Sequence, residues 1–284
     1  RSVKKKNFFL RCKEEIGLLK RIRKENYDLV LNLTEGDRGA LAARISKADV
    51  KVGIDPGKSG MFLKKSFYTH VVKNCPNRRH AVEKNLDALR RIGLFPKEED
   101  KKLTFSIPDS AFEKVEKILD EKKIDKDGYL LIHPASRWKF KSLSKEKFRK
   151  LTKALLKNKL KIIFVSGKDS QEMGFVKEII RDLDVVDLSG RLNLDEFAAL
   201  LFFSKVLLSV DSLSGHLASC FKKRSVVLFG PTCEINWGPW KNPLSSVIVS
   251  DHSCRPCSMD GCGGSKYCEC LEAISEEKIL EKIL

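Results

Sequence analysis

Apolar residues recur along the first hundred positions at two spacings, and each spacing predicts its own kind of element. Ile16, Leu19 and Ile22 fall on one face of a basic, helix-like stretch from Arg1 to about Lys24. Tyr27 to Leu33 is short and largely apolar and reads as a strand, followed by Thr34–Gly39 and a helical run from Ala40 to Ala48. Val50, Val52 and Ile54 alternate as a second strand, closed by Asp55-Pro56-Gly57. From His80 to Ile92, the positions Val82, Leu86, Leu89 and Ile92 make the apolar face of a helix. Leu94 to Pro108 holds two prolines and a run of charge and reads as a linker.

Beyond the linker the alternation is regular. Strand Tyr129–Ile132 precedes a helix from Ser144 to Lys157 with Phe148, Leu151 and Leu155 as its buried stripe. Strand Lys161–Val165 precedes helix Ser170–Arg181, Val185–Leu188 precedes Leu194–Phe203, and Val206–Val210 precedes Ser214–Phe221. Strands at Ser225–Phe229 and Ser246–Val249 follow. Nearly continuous apolar strands alternating with helices predict a parallel sheet covered on both faces, a doubly wound α/β domain. Ligands on such sheets bind beyond the carboxyl ends of the strands, so the loops at those ends are the place to look for chemistry.

Composition narrows the class. A 284-residue chain with 42% apolar and 33% charged residues favours two domains with packed cores over global disorder. No apolar run is long enough to cross a membrane, and none follows the basic N-terminal residues, so neither a spanning helix nor a secretory signal is expected. Lys and Arg number 55 against 38 Asp and Glu, a net +17. Before Ile107 there are 26 basic and 13 acidic residues, so +13 of that excess lies in the first part of the chain. Such a field attracts phosphate, whether of nucleic acid, of an anionic membrane or of a phosphorylated substrate. A solvated lysine-rich surface is the plainer reading. Without a signal segment the nine cysteines are expected in a reducing compartment, which disfavours a disulfide framework.

Three strand ends carry chemistry. The first is His133-Pro-Ala-Ser-Arg-Trp-Lys-Phe-Lys141, whose hydroxyl and cations, facing a helix start at Ser144, suit a diphosphate. The second is Ser166-Gly-Lys-Asp169 with Glu172 one turn into the next helix, where a carboxylate can hold a ribose or merely complement the helix dipole. The third is Val210-Asp-Ser-Leu-Ser-Gly-His-Leu-Ala218, which sets Asp211 at a strand tip and His216 in the first turn of a helix. A carboxylate beside exposed helix N–H groups can bind sugar hydroxyls while the helix end receives phosphate. A lone histidine at such a place is otherwise a satisfied core residue. No loop carries a dinucleotide-binding G-x-G-x-x-G or a P-loop.

These segments resemble the lipopolysaccharide core heptosyltransferases, glycosyltransferase family 9. The resemblance rests on Val210 to Ala218, Val226 to Thr232, Ile235 to Trp240, Ile132 to Lys141, Ser189-Gly190 and Tyr27 to Gly39. The tail Cys254-Arg-Pro-Cys257…Gly261-Cys-Gly-Gly-Ser-Lys266 is similar to the heptosyltransferase III branch in particular. The resemblance implies a GT-B fold of two Rossmann-like domains across a cleft. Residues 1–107 would form a partial acceptor-binding domain with its linker. Residues 108–284 would form the donor domain with a Cys-rich loop at 254–270. It also implies an inverting, metal-independent transfer of L-glycero-D-manno-heptose from ADP-heptose to a phosphorylated lipid A–core acceptor. The place would be the cytoplasmic face of the inner membrane, at its anionic surface, with no cofactor and no nucleic-acid partner.

Within that frame Ser136 and Lys141 would contact the diphosphate, Lys141 neutralising the departing ADP. Glu172 would hold the ribose and Asp211 the heptose hydroxyls. The backbone at Ser212 and Leu213 would cap the diphosphate, His216 would support the turn, and Gly230 and Thr232 would line the cleft. Three departures accompany the likeness: Leu213 where many members have Gly, Leu143 where a Trp is common, and a start at Arg1 that lacks the family's first strand and its Asp, the expected general base. Asp37 is the nearby carboxylate that can be nominated as a substitute, and the chain as written is expected to bind donor but transfer negligibly. Other readings are a transferase for another nucleotide sugar, a non-catalytic donor-binding remnant, and a nucleic-acid binder. The last lacks any recognition-helix or zinc-finger pattern. Cys254, Cys257, Cys262 and Cys268 have spacings that could close around zinc, but the paired knuckles of a structural zinc site are absent and no metal is expected.

Overall fold

The computed structural model describes residues 8–55, 57, 60–73 and 78–284. The start of the first predicted helix, Pro56 in the predicted turn and Cys75 lie outside the described residues. Two compact units meet in sequence between Lys102 and Leu103.

The first unit runs α1 (Phe8–Lys24), β1 (Leu29–Asn32), α2 (Asp37–Ile45), β2 (Val50–Ile54), β3 (His70–Val72) and α3 (Ala81–Arg90). Its three described strands form a parallel sheet in the order β1-β2-β3. Ala40, Ala43 and Tyr68 form one buried cluster, with Val30, Phe67 and Val71 packed against them. The strand β3 has three residues, too few for a period to register in the sequence. On α1, Leu19 and Ile22 are half-buried as their spacing predicts, but Ile16 is exposed. His80 caps α3, its Nδ1 accepting from the Val82 N–H at 3.2 Å.

The second unit opens with α4 (Asp109–Glu121), then β4 (Tyr129–His133), α5 (Lys145–Lys157), β5 (Lys161–Phe164), α6 (Ser170–Ile180), β6 (Val186–Asp187) and α7 (Leu194–Phe202). It continues with β7 (Val206–Val210), α8 (Leu213–Cys220), β8 (Ser225–Leu228), α9 (Glu234–Trp237), β9 (Ser245–Ile248), α10 (Glu269–Glu272) and α11 (Glu276–Ile283). The four-residue α9 and α10 are too short to show a period, and two longer helices also escaped the apolar spacing of the sequence: α4, whose stripe Ala111, Val115 and Leu119 follows the proline-containing linker, and α11, which buries Ile279 and Ile283. The expected boundary at Ile107 falls inside this unit, because Phe105 and Ile107 pack on its core.

All six strands are parallel, in the order β6-β5-β4-β7-β8-β9. Strand β4 shows how the two faces arise. Side chains alternate along a strand, so Leu130 and Ile132 join Phe148, Leu151 and Leu155 of α5 on one face. Tyr129 and Leu131 join α4 and α7 on the other, where Tyr129 Oη donates to the Leu200 carbonyl at 2.5 Å. The winding reverses between β4 and β7, and in an open sheet that reversal opens a crevice at the strands' carboxyl ends. His133 ends β4 and Asp211 follows β7, and His133 is in register with Ser209.

Phe148 is fully buried at the centre of the first of these faces. Replacing it with alanine is expected to cost about 3–5 kcal/mol, read as a lowered thermal midpoint of the second unit. A change under about 1 kcal/mol would mean that α5 is not packed as described.

Candidate functional site

Asp211 leaves the tip of β7 with 5% of its surface exposed, a depth at which a carboxylate needs charge and hydrogen bonds to replace water. Both are present. Lys141 Nζ lies 2.6 Å from Asp211 Oδ2, and Thr232 Oγ1 donates to the same oxygen at 2.7 Å. Lys141 reaches it from a short 3-10 turn, Lys139–Lys141, between β4 and α5. Loops after β4, β7 and β8 thus converge on one carboxylate.

Beside the pair is a cavity of about 500 Å³, lined among others by His133, Ser136, Lys141, Glu172, Asp211 and His216. Ser212 and Leu213 complete that side, and Arg137, Trp138, Gly167 and Trp237 also face it. The structure therefore gathers Ser136, Lys141, Glu172, Asp211, Ser212, Leu213 and His216 in one place. Thr232 does not line the cavity and bears on it through its hydrogen bond to Asp211. Gly230 does not line it: a Cβ there would meet the Leu271 side chain at 2.5 Å, so the glycine allows Leu271 to pack in the core beneath. Its carbonyl accepts from Arg255 Nε at 2.6 Å.

The helix α8 begins with Ser212 in extended backbone, yet the Ser212 side chain does not cap it. The hydroxyl is engaged elsewhere, 3.1 Å from His133 Nδ1 and 2.7 Å from Ser214 Oγ, and Ser214 Oγ is 3.3 Å from the same imidazole nitrogen. First-turn N–H groups without a side-chain cap, at the positive end of a helix, are disposed to receive an anion. His133 packs against Phe197, ring centroids 5.6 Å apart, and burial lowers its pKa to about 4. It is therefore a neutral hydrogen-bonding ring at pH 7. The sequence drew attention to His216 and passed over His133. The available signal was its position at the carboxyl end of an apolar strand, where ligands on such sheets bind.

Glu172 Oε2 accepts from the Gly167 N–H at 3.0 Å, while Asp169 caps α6 through the N–H groups of Gln171 and Glu172. A Cβ on Gly167 would lie 2.9 Å from Glu172 Oε2, so the glycine permits this approach. Ser136, Arg137 and Glu172 also border a second cavity of about 770 Å³, with Leu143, Phe175 and Tyr267 among its apolar walls. Leu143 itself is buried.

Asp37 and the four cysteines have the following surroundings. Asp37, nominated as a substitute base, accepts the Met61 N–H at 3.0 Å and pairs with Lys64 Nζ at 3.0 Å. The Met61 N–H first, and Lys64 next, lower its pKa, which makes it a poor proton acceptor. The four cysteines with zinc-like spacing are divided by burial: Cys254, Cys257 and Cys262 are exposed, whereas Cys268 is in the core with Cys270. Burial, then neighbouring sulfurs, push the Cys268 thiol up to about 12. Among the described residues no group of three His, Cys, Asp or Glu side chains is placed to hold a metal ion.

The profile of glycosyltransferase family 9 (heptosyltransferase) matches residues 16–268. Lipopolysaccharide heptosyltransferase 3 of Escherichia coli (strain K12) is 28% identical over 279 residues, covering 97% of this chain and 80% of that protein. The crystal structure of a family 9 glycosyl transferase from Veillonella parvula DSM 2008 superposes with a TM-score of 0.76 at 19% identity, over 94% of this chain and 77% of the other. E. coli ADP-heptose lps heptosyltransferase II gives 0.70 at 16% identity, over 96% and 80%. The two structural likenesses fix the fold, an α/β arrangement with parallel sheets that matches the expected GT-B class.

The neutral state of His133 has a consequence for stability. An unfolded histidine titrates near 6.5, so between about pH 6.5 and pH 4 the unfolded chain holds a proton that the folded chain does not. This contribution is intact above that window and is lost as pH falls through it, on the order of 3 kcal/mol in all. His133→Asn is expected to flatten the fall in stability between pH 6.5 and 4 relative to the parent, in denaturant titrations at each pH. Equal slopes would mean that the imidazole is free to protonate in the folded protein.

Proposed function

The chain belongs to glycosyltransferase family 9, and we propose that it transfers L-glycero-D-manno-heptose from ADP-heptose to the phosphorylated inner core of lipopolysaccharide, with inversion at the anomeric carbon. The observation that carries this reading is the meeting of Lys141, Asp211 and the uncapped start of α8 in one cavity with Ser136 and Glu172.

The donor's diphosphate would sit against the α8 N–H groups and draw Lys141 Nζ away from Asp211. Two negative groups then compete for one cation, and the ligand wins because the helix end adds to its binding. Asp211, still held by Thr232, is left to accept from heptose hydroxyls. As the bond from the anomeric carbon to the diphosphate oxygen breaks, charge grows on that oxygen beside Lys141. A cation already in place stabilises the transition state more than the ground state. Glu172 would accept from the ribose hydroxyls. Inversion requires the acceptor oxygen to approach from the side opposite the departing ADP and to give its proton to a general base, a role that none of the residues assigned above fills.

For the acceptor, the basic excess supports a partner rich in phosphate. Residues up to Lys102 carry 26 basic against 13 acidic side chains, and we assign this unit to the phosphorylated lipid-linked core at an anionic membrane surface. We propose that the association is peripheral; no described helix is long and apolar enough to cross a membrane.

Calorimetry with ADP and with ADP-heptose tests the donor site. Lys141→Ala should weaken both ligands by about 10- to 100-fold, the range of a charge-assisted hydrogen bond, and lower kcat by about 10²–10³. Asp211→Asn should weaken ADP-heptose but leave ADP unchanged or tighter, because it releases Lys141. Equal losses for both ligands in Asp211→Asn would remove that residue from the sugar subsite. Tighter binding of a UDP-sugar than of ADP-heptose would replace the donor.

A further inference from the structure

In the first unit the segment after β2 turns three apolar side chains outward. Met61 is 39%, Phe62 85% and Leu63 62% exposed, whereas the next residue, Lys64, is 3% exposed. An order of exposed Met-Phe-Leu and buried Lys inverts what solvent alone would select. The cause is a polar anchor beneath the tip. Lys64 Nζ is held by Asp37 Oδ1 at 3.0 Å and by the Glu35 carbonyl, both in the segment that starts α2. Asp37 Oδ1 also accepts the Met61 N–H at 3.0 Å.

The tip is closed on the other side by its own backbone. Leu63 takes a left-handed conformation, φ +59°, and its carbonyl accepts from the Ser66 N–H at 2.9 Å and Ser66 Oγ at 2.7 Å. A leucine adopts that backbone only where its surroundings fix it. Lys65 is tied back to Asp55 at 2.8 Å and remains largely exposed. The apolar side chains are thus presented by a fixed support.

We propose that Met61, Phe62 and Leu63 form a lipid-contacting tip that enters the headgroup boundary of an anionic membrane. The proposal rests on the peripheral location proposed above and names the residues that would realise it. Charge complementarity selects the occupant. The tip belongs to the unit with twice as many basic as acidic residues, and an anionic leaflet attracts such a surface while accepting apolar side chains at the acyl boundary. Electrostatic attraction is screened by salt and apolar insertion is not, so the two contributions can be separated.

The test uses the full chain and vesicles of phosphatidylcholine with phosphatidylglycerol. The parent should bind more weakly at 0.5 M than at 0.1 M salt but retain measurable binding. The double variant Phe62→Ser, Leu63→Ser should bind at least tenfold more weakly at low salt and lose binding at high salt. Phe62→Trp should show quenching by brominated lipid beyond that of the native tryptophans. Both altered positions are exposed, and unchanged thermal unfolding would verify that the fold is intact.

Equal vesicle binding by parent and double variant would overturn the proposal while leaving peripheral association standing. Failure of the parent to bind vesicles, with sugar transfer to a water-soluble core fragment preserved, would overturn both the tip and the membrane location but not the transferase reading. A double variant that binds vesicles normally but loses transfer to the soluble fragment would assign the tip to the acceptor instead. Self-association of the parent that is abolished in the double variant, without any vesicle effect, would assign it to a second copy of the chain.

Discussion

Burial of the Asp211 carboxylate is the constraint on which the donor-side architecture depends. A parallel strand covered on both faces has no polar environment to offer at its tip, so a carboxylate there must be supplied with partners from neighbouring loops. Lys141 comes from the β4–α5 loop and Thr232 from the segment after β8. Satisfying one buried charge therefore draws three loops together and shapes the cavity beside them. Such a pair contributes little net stability, since desolvation offsets much of the attraction. That near-balance leaves the cation open to competition from another anion.

Lys64 presents the same problem with the opposite sign. Here the buried group is the cation, and Asp37 and the Glu35 carbonyl satisfy it. The Asp37 carboxylate is committed to the Met61 N–H as well, so its chemistry is spent on holding a loop. The two ion pairs look alike on paper. What separates them is the surroundings: a cavity lies against Asp211 and Lys141, whereas an outward-turned apolar segment follows from Asp37 and Lys64.

The start of α8 depends on a quieter arrangement. A serine at an N-cap ordinarily bonds back to its own helix, and Ser212 does not because His133 and Ser214 hold its hydroxyl. A charged imidazole would be unsuited to that place, and burial keeps the ring neutral. The freedom of the helix N–H groups is thus maintained by a histidine on a different strand, 79 residues earlier in the chain.

The sequence by itself determined the elements of the second unit with long apolar stripes or runs, because burial on both faces of a sheet leaves a mark at every position. It also singled out the loops after β4, β5 and β7, since hydroxyls, cations and a carboxylate at strand ends are unusual enough to stand out. It did not register β3, whose three residues are too few to show a period, and α4 was hidden behind prolines that suggested a linker. Only the tertiary structure decided that Lys141 and Asp211 meet, that Gly230 serves the packing of Leu271, and that His133 holds the Ser212 hydroxyl. Those outcomes depend on which strands are neighbours. Spacing along the chain carries local periodicity, but the order β6-β5-β4-β7-β8-β9 and its register are what bring residue 141 to residue 211.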